Sequence, residues 1–252
     1  MQLTELVAYL DDVLHTNDIH DAAHNGLQVE GKQQVMRVGL AVDSSLAGFE
    51  QAAEQQVDFL LVHHGLFWEG PRFHPITGLM GRRVKTLLDA GVSLYGAHLP
   101  LDIHPVYGNN AVLARQLGLQ VEEFFAPYGS VLLALHAMCV QPIPLQDFVH
   151  QVEDLLKVKT VTWQFGPELV SSVGIASGKA TPVMPDVSAI GADTFLTGET
   201  AHGGYHTARE LGLNVIHAGH YATEAVGVKS LGQHLAKIFG LETVFIDEPT
   251  GL

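Results

Sequence analysis

Two expected strands are each followed by a histidine with a carboxylate four residues later, His98 with Asp102 and His220 with Glu224. A third cluster, His63-His64, stands directly after the apolar run VDFLLV. Imidazoles with carboxylates are the donor set of Zn, Mn, Co, Ni or Fe, and a carboxylate can bridge two ions. Adjacent side chains leaving a strand diverge, so His63 and His64 reach one ion only if the backbone bends. They more readily serve two neighbouring ions. Two ions held close together polarise a substrate and generate hydroxide near neutral pH. A spacing of four puts His220 and Glu224 on one helical face, whereas Pro100 disturbs a regular helix starting at 98. His98 and Glu199 are candidates for moving protons, and Glu199 equally suits a helix start, where the dipole favours a carboxylate.

The elements that would position these residues alternate. Residues 2–15 carry Leu3, Leu6, Leu10 and Val13 at helical spacing, and Asn25-Gly26 and Gly31 mark a loop. Strands are expected at 38–42, 57–62 and 92–97, with helices at about 46–56, 79–90 and 109–117. A loop rich in Gly, Pro and aromatics fills 65–77. In the second half, strands are expected at 131–140, 161–165, 173–176, 192–196, 213–216 and 243–246, with helices at 145–156 and 221–238. Continuous apolar strands separated by helices imply largely parallel sheets. Every histidine cluster falls at a strand's carboxyl end, where such sheets bind ligands.

The halves repeat. VGLA at 38–41 and VGIA at 173–176 are offset by 135 residues, as are Asp58 and Asp193. Glu199 then takes the place of His64. The expected architecture is two linked, related α/β domains, an internal duplication, over 1–125 and 126–252, with a metal cleft between them. The least structured junction is 122–129. Other patterns carry less: His202 and His206 lie four apart on an expected solvated helix face, His217 is a core or supporting residue, and Cys139 is structural.

Composition bounds the class. The 252 residues are 47% hydrophobic and 16% charged, enough for a sizeable core. A formal charge of −14 repels phosphate backbones and anionic bilayers, against nucleic-acid binding. One cysteine excludes a disulfide framework and any cysteine-cluster metal site, and the acidic, amphipathic start is unlike a secretory signal. The expected location is the cytoplasm, with no membrane partner.

Six ordered motifs then become informative together: Asn25-Gly26-Leu27-Gln28-Val29-Glu30-Gly31, Val62-His63-His64-Gly65, His98-Leu99-Pro100-Leu101-Asp102, Gly108-Asn109-Asn110, Thr197-Gly198-Glu199, and Ala218-Gly219-His220-Tyr221-Ala222-Thr223-Glu224. The set resembles the GTP cyclohydrolase 1 type 2 homolog family over about 25–247, in its short bacterial form. The resemblance implies two linked α/β domains, a ring-shaped homohexamer and a dinuclear centre facing an internal cavity. Its ligands would be His63, His64, Asp102, His220 and Glu224, with Glu224 the natural bridge and His98 a weak ligand or acid/base group. The expected activity is metal-dependent hydrolysis of a nucleotide or related small molecule by a metal-bound hydroxide. The alternative is a metal carrier or a regulatory scaffold without turnover.

Overall fold

The computed structural model describes residues 1–70 and 75–252. Residues 71–74 of the expected Gly/Pro-rich loop lie outside the described residues. The contacts gather into two compact units that are not consecutive halves of the chain: Met1–Leu101 with Gly227–Glu248, and Asp102–Val226 with Pro249–Leu252.

The first unit opens with α1 (Leu3–Leu14), whose Leu3, Leu6, Leu10 and Leu14 are all buried. Strand β1 (Gly26–Val29) corrects the expected loop, since Gly26 has φ +99° and the chain pairs antiparallel with β4. Then follow β2 (Arg37–Asp43), α2 (Leu46–Glu54), β3 (Phe59–His64), α3 (Gly78–Ala90) and β4 (Ser93–Gly96). Ser45 caps α2 by accepting from the Gly48 amide. Helix α4 (Leu99–Asp102) is one turn, which accommodates Pro100 because the early amides of a helix need no partner.

The second unit contains α5 (Asn109–Gln116), β5 (Gln120–Tyr128), β6 (Val131–Pro144), α6 (Leu145–Leu156), β7 (Val161–Trp163) and β8 (Leu169–Ala176). It continues with α7 (Met184–Ala189), β9 (Thr194–Thr197), α8 (Gly204–Leu211) and β10 (Asn214–His217). Helix α9 (His220–Phe239) begins here and its later turns belong to the first unit, together with β11 (Glu242–Phe245).

The first sheet has the order β1-β4-β3-β2-β11, parallel except for β1. The second has the order β5-β6-β8-β9-β10-β7, where only β8, β9 and β10 run parallel. It is therefore a mixed sheet rather than a largely parallel one. Its strand β5 covers residues 122–128 of the junction expected to be unstructured, and Gly129 lies in the turn that follows. The strand hides from sequence patterning because Gln120–Glu123 are exposed, a register shift lies between Val121 and Phe124, and Pro127 sits on the sheet edge, where a missing amide is tolerated.

Side chains alternate between the two faces of each sheet. In the second, Val173, Ile175, Leu196 and Ile216 pack on α5 and α6, while Phe195 and Val215 pack on α7 and α8 with Met184, Val187 and Ala208. In the first, Ala41, Leu60, Val62 and Leu94 meet Phe49, Ala52, Val84 and Leu87 of α2 and α3. Gly232 of α9 lies so close to Leu40 that a Cβ there would overlap it. These packed faces hold the strand ends rigidly, and the strand ends carry the histidines.

Candidate metal centre

In the first unit β3 runs further than the apolar run suggests and includes both His63 and His64. His63 is fully buried, and its Nδ1 lies 2.8 Å from the carbonyl oxygen of Ala97. A carbonyl only accepts, so Nδ1 carries the proton and the ring's lone pair sits on Nε2. His64 Nδ1 lies 2.7 Å from Asp43 Oδ1. Asp43 is the register partner of His64 on the neighbouring parallel strand, so the strand pairing itself delivers the carboxylate.

His98 follows β4. Its Nδ1 lies 2.9 Å and 3.0 Å from the two oxygens of Asp21. Asp21 also accepts from the amides of Ala23 and Leu99 and from Asn25 Nδ2. Burial alone would raise the Asp21 carboxyl, but the His98 imidazole and these donors hold it at about 2. One ligand atom each of His63, His64 and His98 lie within 4.8 Å of one another. Trp68 stands edge-on to His98 at 4.9 Å.

In the second unit His220 opens α9 after Gly219, whose φ of +90° turns the chain out of the strand. Its Nδ1 lies 2.7 Å from Glu199 Oε1, and its Nε2 lies 3.0 Å from Glu224 Oε2, one helical turn on. Burial disfavours an imidazolium there, yet Glu224 and Glu199 outweigh it and raise the pKa to about 9. A separation of about 3 Å is also what two ligands of one ion have when each bond is roughly 2.0–2.2 Å long. Asp102 is buried, and its Oδ1 accepts from Asn109 Nδ2 at 2.7 Å and Ser177 Oγ at 3.0 Å.

Asp102 and Glu224 each place a carboxylate oxygen within 4.8 Å of the other's. Two buried carboxylates this close repel unless a proton or a cation lies with them. Gly178, at φ +60°, makes the room: a Cβ there would overlap Glu224 Oε1 and come within 3.2 Å of His220 Nε2.

The structure thus brings His63, His64 and His98 together in one unit, and Asp102, His220 and Glu224 together in the other. Glu199, the other expected proton carrier, lies against His220 Nδ1 and not against its Nε2. Sequence reasoning missed Asp21 and Asp43, the carboxylates that orient His98 and His64. The register of β2 on β3 was the signal that could have found Asp43. His202 precedes α8 instead of sharing a helix face with His206. Cys139 is half-buried in β6, and burial pushes its thiol pKa up, which suits an inert structural residue. His217 closes β10 and is 3% exposed, with burial lowering its pKa to about 4.

The donor chemistry fits divalent ions, since orienting acceptors on the second nitrogen are what ligand histidines carry. Among the described residues no helix is long and apolar enough to cross a membrane.

Comparison with known proteins agrees over the whole length. The chain is similar to the GTP cyclohydrolase 1 type 2 homolog of Archaeoglobus fulgidus, at 39% identity over 252 residues and 100% of both chains. Among solved structures it is similar to the protein ybgI, described as of unknown function, with 37% identity, a TM-score of 0.94 and 100% of both chains covered. A Thermus thermophilus protein matches at 45% identity and a TM-score of 0.90, again over 100% of both chains. The pattern of one family matches residues 1–251, and with these relatives it settles the kinship. The chain belongs to the Duf34/NIF3 (NGG1p interacting factor 3) family.

Proposed function

We propose that the chain holds two divalent ions through His63, His64, Asp102, His220 and Glu224, and that it hydrolyses a small molecule of the nucleotide class. The observation that carries this reading is the uniform anchoring of the rings. Nδ1 of His63, His64, His98 and His220 each faces an oxygen acceptor, so the neutral form of each ring, which His220 reaches only when an ion displaces its Nε2 proton, leaves its lone pair on Nε2. Packing alone gives no reason for four rings to share one orientation logic. Glu224, close to both His220 and Asp102, is suited to lie between two ions. The donor set suits Zn, Fe, Mn, Co or Ni.

When bound, such ions supply Lewis acidity and activate water near pH 7. The protein's own groups then supply positioning and proton transfer. Asp21 fixes the His98 ring through Nδ1, so that His98 takes or returns a proton at Nε2. Asp43 and Glu199 keep His64 and His220 in register. The name carried by the curated relatives supports a nucleotide as substrate.

A ring-shaped hexamer accords with the apolar side chains exposed on β5 and β6, namely Val121, Tyr128, Leu132 and Val140. Light scattering that gives a stable monomer at micromolar concentration would contradict it. A reducing cytoplasm accords with the lone cysteine. The duplication is supported by equivalent bonding: Asp58 accepts from the amides of Met36 and Arg37, and Asp193 from those of Ser171 and Ser172.

His98→Gln tests the catalytic part, on a panel of nucleotides and phosphoesters. The variant should keep its metal and lose roughly 10²-fold or more in rate. Loss of metal instead makes His98 a sixth ligand. Wild-type protein with both ions in place and no turnover across the panel would favour the carrier or scaffold reading.

A further inference from the structure

At the carboxyl end of β10 a pocket of about 370 Å³ is bordered by Lys159, Val161, Glu199, Thr200, His217 and Leu252. His217 is its anomaly. The residue is 3% exposed, and neither ring nitrogen has a hydrogen-bond partner among the described residues. The backbone of Glu199 offsets the effect of burial without reaching hydrogen-bond geometry. Trp163 holds the ring edge-on, with centroids 4.4 Å apart. A buried polar ring without partners calls for a ligand or ordered water.

The first unit shows what occupies the equivalent place. Gly96 ends β4 opposite Val62 of β3, as His217 ends β10 opposite Thr197 of β9. Gly65 stands 135 residues before Thr200. A Cβ on either Gly65 or Gly96 would overlap the carboxamide of Gln28, which reaches in from β1. That amide is satisfied on both sides: Oε1 accepts from the Leu66 amide at 2.7 Å, and Nε2 donates to the His24 carbonyl. In the second unit the equivalents of the two glycines, Thr200 and His217, both border the open pocket.

We propose that this pocket binds a neutral, planar group with a carboxamide, lactam or ureide edge, with His217 as its recognition residue. Whichever tautomer the ring adopts, it presents either a donor or an acceptor, and an amide edge answers both. The surrounding charge selects against an acid. The Glu199 carboxylate borders the space, and Lys159 is already paired with Glu153 at 2.8 Å. The claim goes beyond the metal reading and does not depend on it, because none of the five proposed ligands borders the pocket.

Nicotinamide is a suitable probe, with nicotinate as the anion of matching shape and 3-acetylpyridine as the analogue without N–H donors. Titration by calorimetry or ligand-observed NMR should show millimolar binding of nicotinamide, in line with its size. Nicotinate and 3-acetylpyridine should bind roughly 10-fold more weakly. His217→Leu should weaken nicotinamide by a similar factor, with the cooperative melting and metal content of the parent protein retained near neutral pH. Should that variant fail to fold, Thr200→Phe, at an exposed position on the pocket rim, should block nicotinamide in a folded protein. Nicotinate binding as tightly as nicotinamide, nicotinamide binding unchanged in the folded variants, or no nicotinamide binding to the wild type would each overturn the proposal.

Discussion

The carboxyl ends of the two sheets use the same scaffold with the partners exchanged. At the end of β3 the strand supplies the histidine, His64, and the neighbouring strand supplies its orienting carboxylate, Asp43. At the end of β9 the equivalent position holds the carboxylate, Glu199, which orients His220 on the following helix. The equivalent of Asp43 is Gly178, and its missing side chain is what admits Glu224. One end is therefore rich in nitrogen donors and the other in carboxylates. At these matched positions the imidazole and the carboxylate that faces it have changed places, and the lesson is that one strand-end geometry can present either donor type.

The most damaging disturbance of this comparison is Glu224→Ala. It removes the carboxylate close to both His220 and Asp102, and elemental analysis should then find neither ion retained. A variant with full occupancy would remove the bridging role.

The next effect concerns acid. His217 has a folded pKa of about 4 against an ordinary value of 6.5, burial being the cause. The unfolded chain therefore takes up the proton first. Stability is complete above pH 6.5 and is lost as pH falls towards 4, by roughly 3 kcal/mol in all. The equivalent place in the first unit, Gly96 under Gln28, has no titrating group. Replacing His217 by Leu should flatten the melting temperature between pH 6.5 and 4 relative to the parent. An unchanged acid limb would show that other groups set it.

The smallest effect tests the exchange itself. Asp43→Asn and Glu199→Gln remove orienting charge from opposite ends of the comparison. Each should weaken metal binding by about 10–100-fold, the usual cost of losing a ligand's support. If one has that effect and the other none, the two carboxylates do not have equivalent roles.

Much of this was legible in the chain, for identifiable reasons. His63-His64 announce themselves because a continuous apolar run ends on them, and His220 with Glu224 because four residues make one helical turn. The 135-residue repeat is visible because buried strands keep their residue types. Asp21 lies in an irregular segment 77 residues from His98, and no local pattern links the two. The antiparallel strands β1 and β5 are short or exposed, so neither shows a buried face. The return of β11 to the first sheet is a tertiary choice: it pairs with β2, some 200 residues earlier, and its own four residues say nothing of that partner.

Whether each chain holds a pair of ions is decided by metal analysis of protein purified without added metal, then reconstituted and desalted. Two divalent ions per chain are expected, with occupancy falling as pH drops and the histidines protonate. Fewer than one ion per chain after reconstitution would contradict it.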